Sequence, residues 1–166
     1  MRTGILARVS ASCVVLFLAG ACWAPTSRAL GLSGAGGKVG YTNPENLDGT
    51  MMVGGHVELE ERGSQFHVVP NLMYWKVDRV SDVNPNLDVY YHFQPQRKTS
   101  PYLGGGIGVD VRNSEITDRS KTALNANVIG GFRFPNANNA YFVEGRYKAS
   151  ETSQVALVGG ITFGTR

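Results

Sequence analysis

Cysteine is nearly missing from this chain: Cys13 and Cys22 are the whole supply, and both fall within the first 29 residues. Everything after them is thiol-free, which excludes a disulfide scaffold, a thiol nucleophile and Cys-bound metal from that part. No apolar run approaches the ~20 residues a membrane helix needs. The longest, Val9 to Trp23, follows Arg2 and Arg8 and precedes Ser27-Arg28-Ala29. A positive start, a short apolar stretch and a small-x-small site describe a secretory signal peptide cut near Ala29. Pro25 argues against a cut after Ala24. Leu18-Ala19-Gly20-Ala21-Cys22 approximates a lipoprotein box, but its Leu falls one position early, so ordinary processing is expected. Residues 1–29 are therefore read as a leader and 30–166 as one domain.

Net charge of one sign is also lacking. The 16 Lys and Arg fall to 13 without Arg2, Arg8 and Arg28, against 13 Asp and Glu. The basic balance belongs to the leader, and a nucleic-acid partner loses its support. Missing too is apolar spacing of three and four, so amphipathic helices are excluded.

What is present is alternation with period two, repeated along the chain. Leu124, Ala126, Val128, Gly130, Phe132 and Phe134 share one face, against Asn125, Asn127, Ile129, Gly131 and Arg133. Tyr141, Val143, Gly145 and Tyr147 oppose Phe142, Glu144, Arg146 and Lys148. Leu103, Gly105, Ile107, Val109 and Val111 oppose Tyr102, Gly104, Gly106, Gly108 and Asp110. Val155, Leu157, Gly159, Ile161 and Phe163 oppose Ala156, Val158, Gly160 and Thr162.

Turn-forming clusters separate these runs: 43–49, 61–64, 82–86, 94–101, 113–121, 135–139 and 149–153. They delimit strands at 32–41, 50–60, 66–77, 87–93, 102–111, 123–134, 140–148 and 154–163. Most have the ~9–11 residues that cross a bilayer at barrel tilt. The expected fold is all-β, an eight-stranded antiparallel up-and-down transmembrane β-barrel, which leaves no unpaired edge. Pro70 falls inside the third run, where a bulge is expected because proline cannot donate to a ladder.

Alternation does not say which face is inside. A lipocalin-like barrel turns apolar residues inward, whereas an outer-membrane barrel turns them to lipid. Aromatic placement favours the second. Phe66, Phe93, Phe134, Tyr141 and Phe163 all sit at strand ends on one rim, in phase with the apolar face. That is the position of an interfacial girdle, with Tyr41, Tyr74 and Tyr147 towards the opposite rim. The polar face carries both signs: Lys38, His56, Glu58, Asp88, His92, Asp110, Arg133, Glu144 and Arg146 are expected to meet inside and plug the lumen.

Ser100-Pro101-Tyr102-Leu103-Gly104-Gly105-Gly106-Ile107-Gly108-Val109 resembles the PYlGaGiGv strand of the OmpA-like and OmpX-like outer-membrane β-barrel domain family. Val128 to Phe134, Phe142 to Tyr147 and Val155 to Phe163 are similar to its later strands, in the same order. The resemblance covers the C-terminal half. It implies a small barrel placed in the outer membrane by the barrel-assembly machinery, in contact with outer-membrane lipid, with an interior salt-bridge network that includes Glu144 and Arg146. Gly164-Thr165-Arg166 follow Phe163 where family members end on an aromatic residue.

Catalytic and metal readings find little. His56, His67 and His92 form no His-x-Ser pattern of the lipid A deacylases, and no close ligand spacing supports metal. Glu58 with His56 or His92 reads as lumenal hydrogen bonding rather than a dyad. The glycines at 104, 106 and 108 precede no helix, so they are no phosphate loop and are expected to make room for bulky lumen residues. The sequence thus points to a non-enzymatic outer-membrane barrel without cofactors, of structural or interactive role. Alternatives are a barrel holding or passing a small hydrophobic molecule and a soluble periplasmic carrier. Oligomeric state is left open.

Overall fold

The computed structural model describes residues 30–45, 47–95, 97–114 and 119–164. The leader, its cleavage site and the lipoprotein-like motif lie outside them. The strands are β1 (Gly31–Pro44), β2 (Thr50–Glu60), β3 (Phe66–Val77), β4 (Val80–His92), β5 (Ser100–Ser114), β6 (Arg119–Asn136), β7 (Asn139–Ala149) and β8 (Gln154–Phe163). They form one closed barrel in chain order, each antiparallel to its neighbours. β8 closes on β1 from Ala35 opposite Phe163 to Pro44 opposite Gln154. The eight-stranded up-and-down fold expected from the alternation is the one observed.

The phase of the alternation is equally plain. Val128 and Leu157 are 65% and 63% exposed, while Ile129 and Val158 beside them are buried. Apolar side chains cover the outside from Val39 to Phe163, and the charged residues of the strand middles turn inward, while Lys76 and Lys121 near the far strand ends are exposed. A carrier with an apolar interior is not what this chain builds.

Three details differ from the sequence reading. The cluster at 82–86 is not a turn. β4 begins at Val80, and the reversal is the pair Asp78-Arg79, with Asp78 in the left-handed region at φ 51°. Asp82, Asn84 and Asn86 look like turn formers, yet they alternate with Val83, Pro85 and Leu87 and continue the inward phase of Asp88. Burial on one face outweighs local turn preference. Pro70 makes no bulge either: the β2–β3 register is unchanged on both sides of it, from His56/Asn71 to Leu59/Val68. Proline only removes one donor, so the ladder skips and resumes. The register shift lies instead in β1, between Leu32 and Gly34. Finally, β1, β5 and β6 extend past the expected ends, because polar residues beyond an apolar band still pair as strand.

Pro85 interrupts the β4–β5 ladder in the same way, between Val83/Val111 and Asn86/Gly108. Here the Asn84 amide donates to the Val109 carbonyl at 3.0 Å, taking up an acceptor within the gap. A side chain thus supplies the donor that proline lacks.

Candidate functional site

The candidate site is the lumen. An eight-stranded barrel is narrow enough for side chains to fill, and here they do so in layers. Two mouths define its axis: one where β1 begins and β8 ends, called the terminal mouth, and the far mouth opposite.

In the middle, Lys38 Nζ lies 3.1 Å from Glu144 Oε1 and also donates to the Tyr90 hydroxyl. Arg146 bridges Glu144 and Asp88 at 3.2 and 2.5 Å. The Tyr102 hydroxyl donates to the second Glu144 oxygen at 2.7 Å. Glu144 is 1% exposed. Charges taken this far from water are tolerated only when paired and hydrogen-bonded, and each of these is.

Towards the far mouth the network continues through amides. Asn71 donates to Asp88 at 2.8 Å, Asn86 to Asn84 at 2.7 Å, and Asn84 to Asp110 at 2.6 Å. Asn127 donates to Asn86 and Asn125, and Lys148 closes on Asp110 at 2.6 Å. Asp82 and Arg112 follow at 3.5 Å, with the guanidinium over the Trp75 ring. Trp75 packs in an interior apolar cluster with Met52, Met73, Ala156 and Val158. Beside it Gln154 donates to Thr42.

Towards the terminal mouth, Arg133 holds both oxygens of Glu58 at 2.7 and 2.8 Å. Thr162 donates to Glu58 at 2.9 Å and meets the His56 ring at 2.9 Å. His67 lies 2.9 Å from Glu60, and its ring centroid lies 4.3 Å from that of His92, the two planes tilted by 46°.

All nine polar residues singled out in the sequence face this interior. Lys38, Asp88, Glu144 and Arg146 form its middle; His56, Glu58, His92 and Arg133 the terminal mouth; Asp110 the amide layer. Arg133 is the least covered, with 11% of its side chain exposed. The five girdle aromatics, Phe66, Phe93, Phe134, Tyr141 and Phe163, are exposed at the terminal rim, though β4 stops at His92 and Phe93 stands just beyond it. Tyr91 joins them, its ring 5.0 Å from Phe66 and 5.1 Å from Phe93.

The sequence reading missed the asparagine layer and the Trp75 cluster. The signal was available in part: Asp82, Asn84 and Asn86 are in phase with Asp88. Trp75 and the two methionines carry no such mark, since apolar residues on both faces of β3 hide which face is inside.

The glycines at 104, 106 and 108 are required by close approach. A Cβ on Gly104 would strike the Tyr90 ring, on Gly106 the Asp88 carboxylate, and on Gly108 the Asn86 amide. They form a groove in β5 that receives the inward residues of β4.

Two hydroxyl–imidazole contacts have the outline of a nucleophile and base: Thr162 with His56, where the buried hydroxyl already donates to Glu58, and Ser100 Oγ, 3.4 Å from His92 Nδ1. Ser100 is 0% exposed, and the other ring nitrogen of His92 has no orienting partner. A base needs that orientation and a nucleophile needs access, so both pairs read as packing. Among the described residues no group of three or more His, Cys, Asp or Glu is placed to hold a metal ion.

No family model matches the chain, and no curated protein sequence matches it. Solved structures do. Neisserial surface protein A (NspA) aligns with a TM-score of 0.64 at 12% identity, over 79% of this chain and 96% of its own. The N-terminal β-barrel domain of Pseudomonas aeruginosa OprF gives 0.64 at 16%, over 80% and 98%. Ail, the attachment invasion locus protein of Yersinia pestis, gives 0.53 at 12%, over 80% and 99%. Each is a small eight-stranded outer-membrane barrel, and what this chain shares with them is the closed eight-stranded fold.

Proposed function

We propose that this chain is an exported, non-enzymatic protein of the bacterial outer membrane, a barrel of structural or interactive role whose lumen is closed by its own side chains. The observation that carries this reading is the inversion of the wall. Large apolar side chains remain exposed around the whole barrel while paired charges fill its middle. A water-soluble protein rarely exposes contiguous apolar surface on that scale, and a bilayer is the solvent that would cover it. The fit of length supports this. Phe66 and Tyr74 are eight residues apart in β3, about 26 Å along the strand and about 20 Å along the axis at ~40° tilt. With their rings this approaches the apolar band of about 25 Å found on such barrels.

With the terminal mouth in the periplasm, the even strand number returns both chain ends to that side. Only Asp78-Arg79 and the loops after β1, β5 and β7 then face outward. The signal peptide at 1–29 and the barrel-assembly machinery are parts of the same proposal. So are the nine lumen residues as a plug and the rim aromatics as a girdle.

Fractionation with heat-modifiable gel mobility tests residence: recovery in the outer membrane with a mobility shift on boiling is expected, and a soluble periplasmic pool would refute it. Planar-bilayer recording tests the plug. Wild-type protein should show no steady conductance at neutral pH; steady openings would remove that part and leave the barrel.

A further inference from the structure

Two polar atoms in the far half of the lumen are buried without a hydrogen-bond partner among the described residues: the Trp75 indole Nε1 and the Gln154 carbonyl Oε1. The orientation of Gln154 follows from its neighbour. The Thr42 hydroxyl has one proton and gives it to the Val155 carbonyl at 3.3 Å, so towards Gln154 it can only accept. Gln154 therefore turns its NH2 to Thr42 and keeps its oxygen for something else. The indole N–H can only donate. Whatever satisfies both must accept at one point and donate at another. Buried polar groups of a native interior are almost always paired, with ordered water where the chain offers nothing.

Trp75 and Gln154 line one cavity of about 20 Å³, with Met73 and Ala156 on its apolar side. One water takes up about 10–15 Å³ of such space, so one or two fit and an organic solute does not. Charge narrows the choice further. Arg146 and Lys148 also line the cavity, but Arg146 is held by Glu144 and Asp88, and Lys148 by Asp110. With those charges balanced, neither an anion nor a cation is favoured. A hollow lined only by apolar groups stays dry, whereas this one has an amide and an indole N–H on its wall. It is also covered at both ends. The layer of Lys38, Glu144, Arg146 and Asp88 stands towards the terminal mouth. Towards the far mouth, Arg112 lies over the Trp75 ring and reaches the Thr152 hydroxyl at 3.2 Å, and Leu47 packs on the Trp75 cluster.

We propose that the far half of the lumen is a blind water-binding chamber, in which one or two waters accept the Trp75 indole N–H and donate to Gln154 Oε1. The blind end rests on the closed lumen proposed above, and the two are tested apart: bilayer conductance judges the closure, and contact between Trp75 and water judges the site.

Trp75 is the reporter. The full chain carrying Trp23→Phe keeps it as the only tryptophan, and the probe is water itself. In detergent, the Trp75 indole proton should show a rotating-frame NMR cross-peak with water, of sign opposite to the diagonal. That sign marks a held water, whereas proton exchange gives the sign of the diagonal. Ala156→Leu, which fills the space, should abolish the cross-peak. So should Gln154→Met, which keeps the bulk but removes the acceptor, because a buried water needs at least two polar partners. The absence of an opposite-sign cross-peak in the folded Trp23→Phe barrel overturns the proposal, and so does one that survives either substitution. Should those variants not fold, xenon decides in the Trp23→Phe protein. A wet chamber leaves the Met73 methyl resonance unmoved under xenon pressure; a shift there marks a dry apolar hollow and overturns the proposal.

Discussion

β5 carries glycine on both of its faces, and the two sets stand there for opposite reasons. On the lumen side, Gly104, Gly106 and Gly108 receive side chains from β4, and a single added methyl group collides with them. On the outer side, Gly105 between Leu103 and Ile107 has ordinary clearance; a Cβ there would meet its nearest neighbour, the Asn127 carbonyl, at 3.4 Å. Inside, composition is dictated by fit and by charge pairing. Outside, it is dictated by the solvent, and shape matters little. One strand therefore obeys two rules in alternate residues.

The contrast can be broken first at the centre. Glu144→Ala leaves Lys38 and Arg146 buried beside an empty site, and removing one partner of a buried pair costs about 3–5 kcal/mol. Unfolding in urea should show that loss, and conductance should rise as the middle layer fills with water; no change in either would remove Glu144 from the network. Next is the outer face. Val143→Arg sets a guanidinium on the apolar side between the Tyr141 and Tyr147 rims, level with Gly159, a change worth about 2–4 kcal/mol when lipid surrounds it. If the variant is as stable as wild type in a bilayer, that face does not meet hydrocarbon. The glycine pair then sharpens the comparison within one strand. Gly106→Ala should cost about 1–3 kcal/mol by overpacking against Asp88, while Gly105→Ala stays within about 0.5 kcal/mol, as surface substitutions do. Equal losses would dissolve the distinction. The smallest effect is expected at the β6–β7 reversal, where Ala137 sits at φ 52°. Ala137→Gly should stabilise by about 1 kcal/mol, because a side chain pays for a left-handed backbone that glycine adopts freely. A measured loss would mean the Ala137 methyl packs usefully.

Much of this was legible in the sequence because strand alternation is a strict code when one face is buried. Leu124 to Phe134 and Tyr141 to Lys148 declare both their strand character and their inward residues. The fourth strand did not. Asp82, Asn84, Pro85 and Asn86 are residues a turn would choose; their phase with Asp88 was a partial signal, and the distant partners Arg112, Asp110, Asn71 and Asn127 complete it. A code based on apolar residues is blind to a face whose neighbours are all amides. The His67–His92 ring contact was hidden for another reason. It depends on which residues of β3 and β4 come level, and that register was set by the reversal at Asp78-Arg79 that the reading had misplaced.

Asn84 and Pro85 deserve to be thought of as a single unit of two residues. The amide of Asn84 acts as a spare main-chain donor for Pro85, so the dependence runs one way. Pro85→Ala returns an ordinary backbone N–H and should be mild alone, whereas Asn84→Ala strips the Val109 carbonyl, the Asp110 carboxylate and the Asn86 amide of a partner, of which Pro85→Ala restores only the first. Drift at these two positions therefore has an order: the proline can go first, and the asparagine stays bound to the lumen even then.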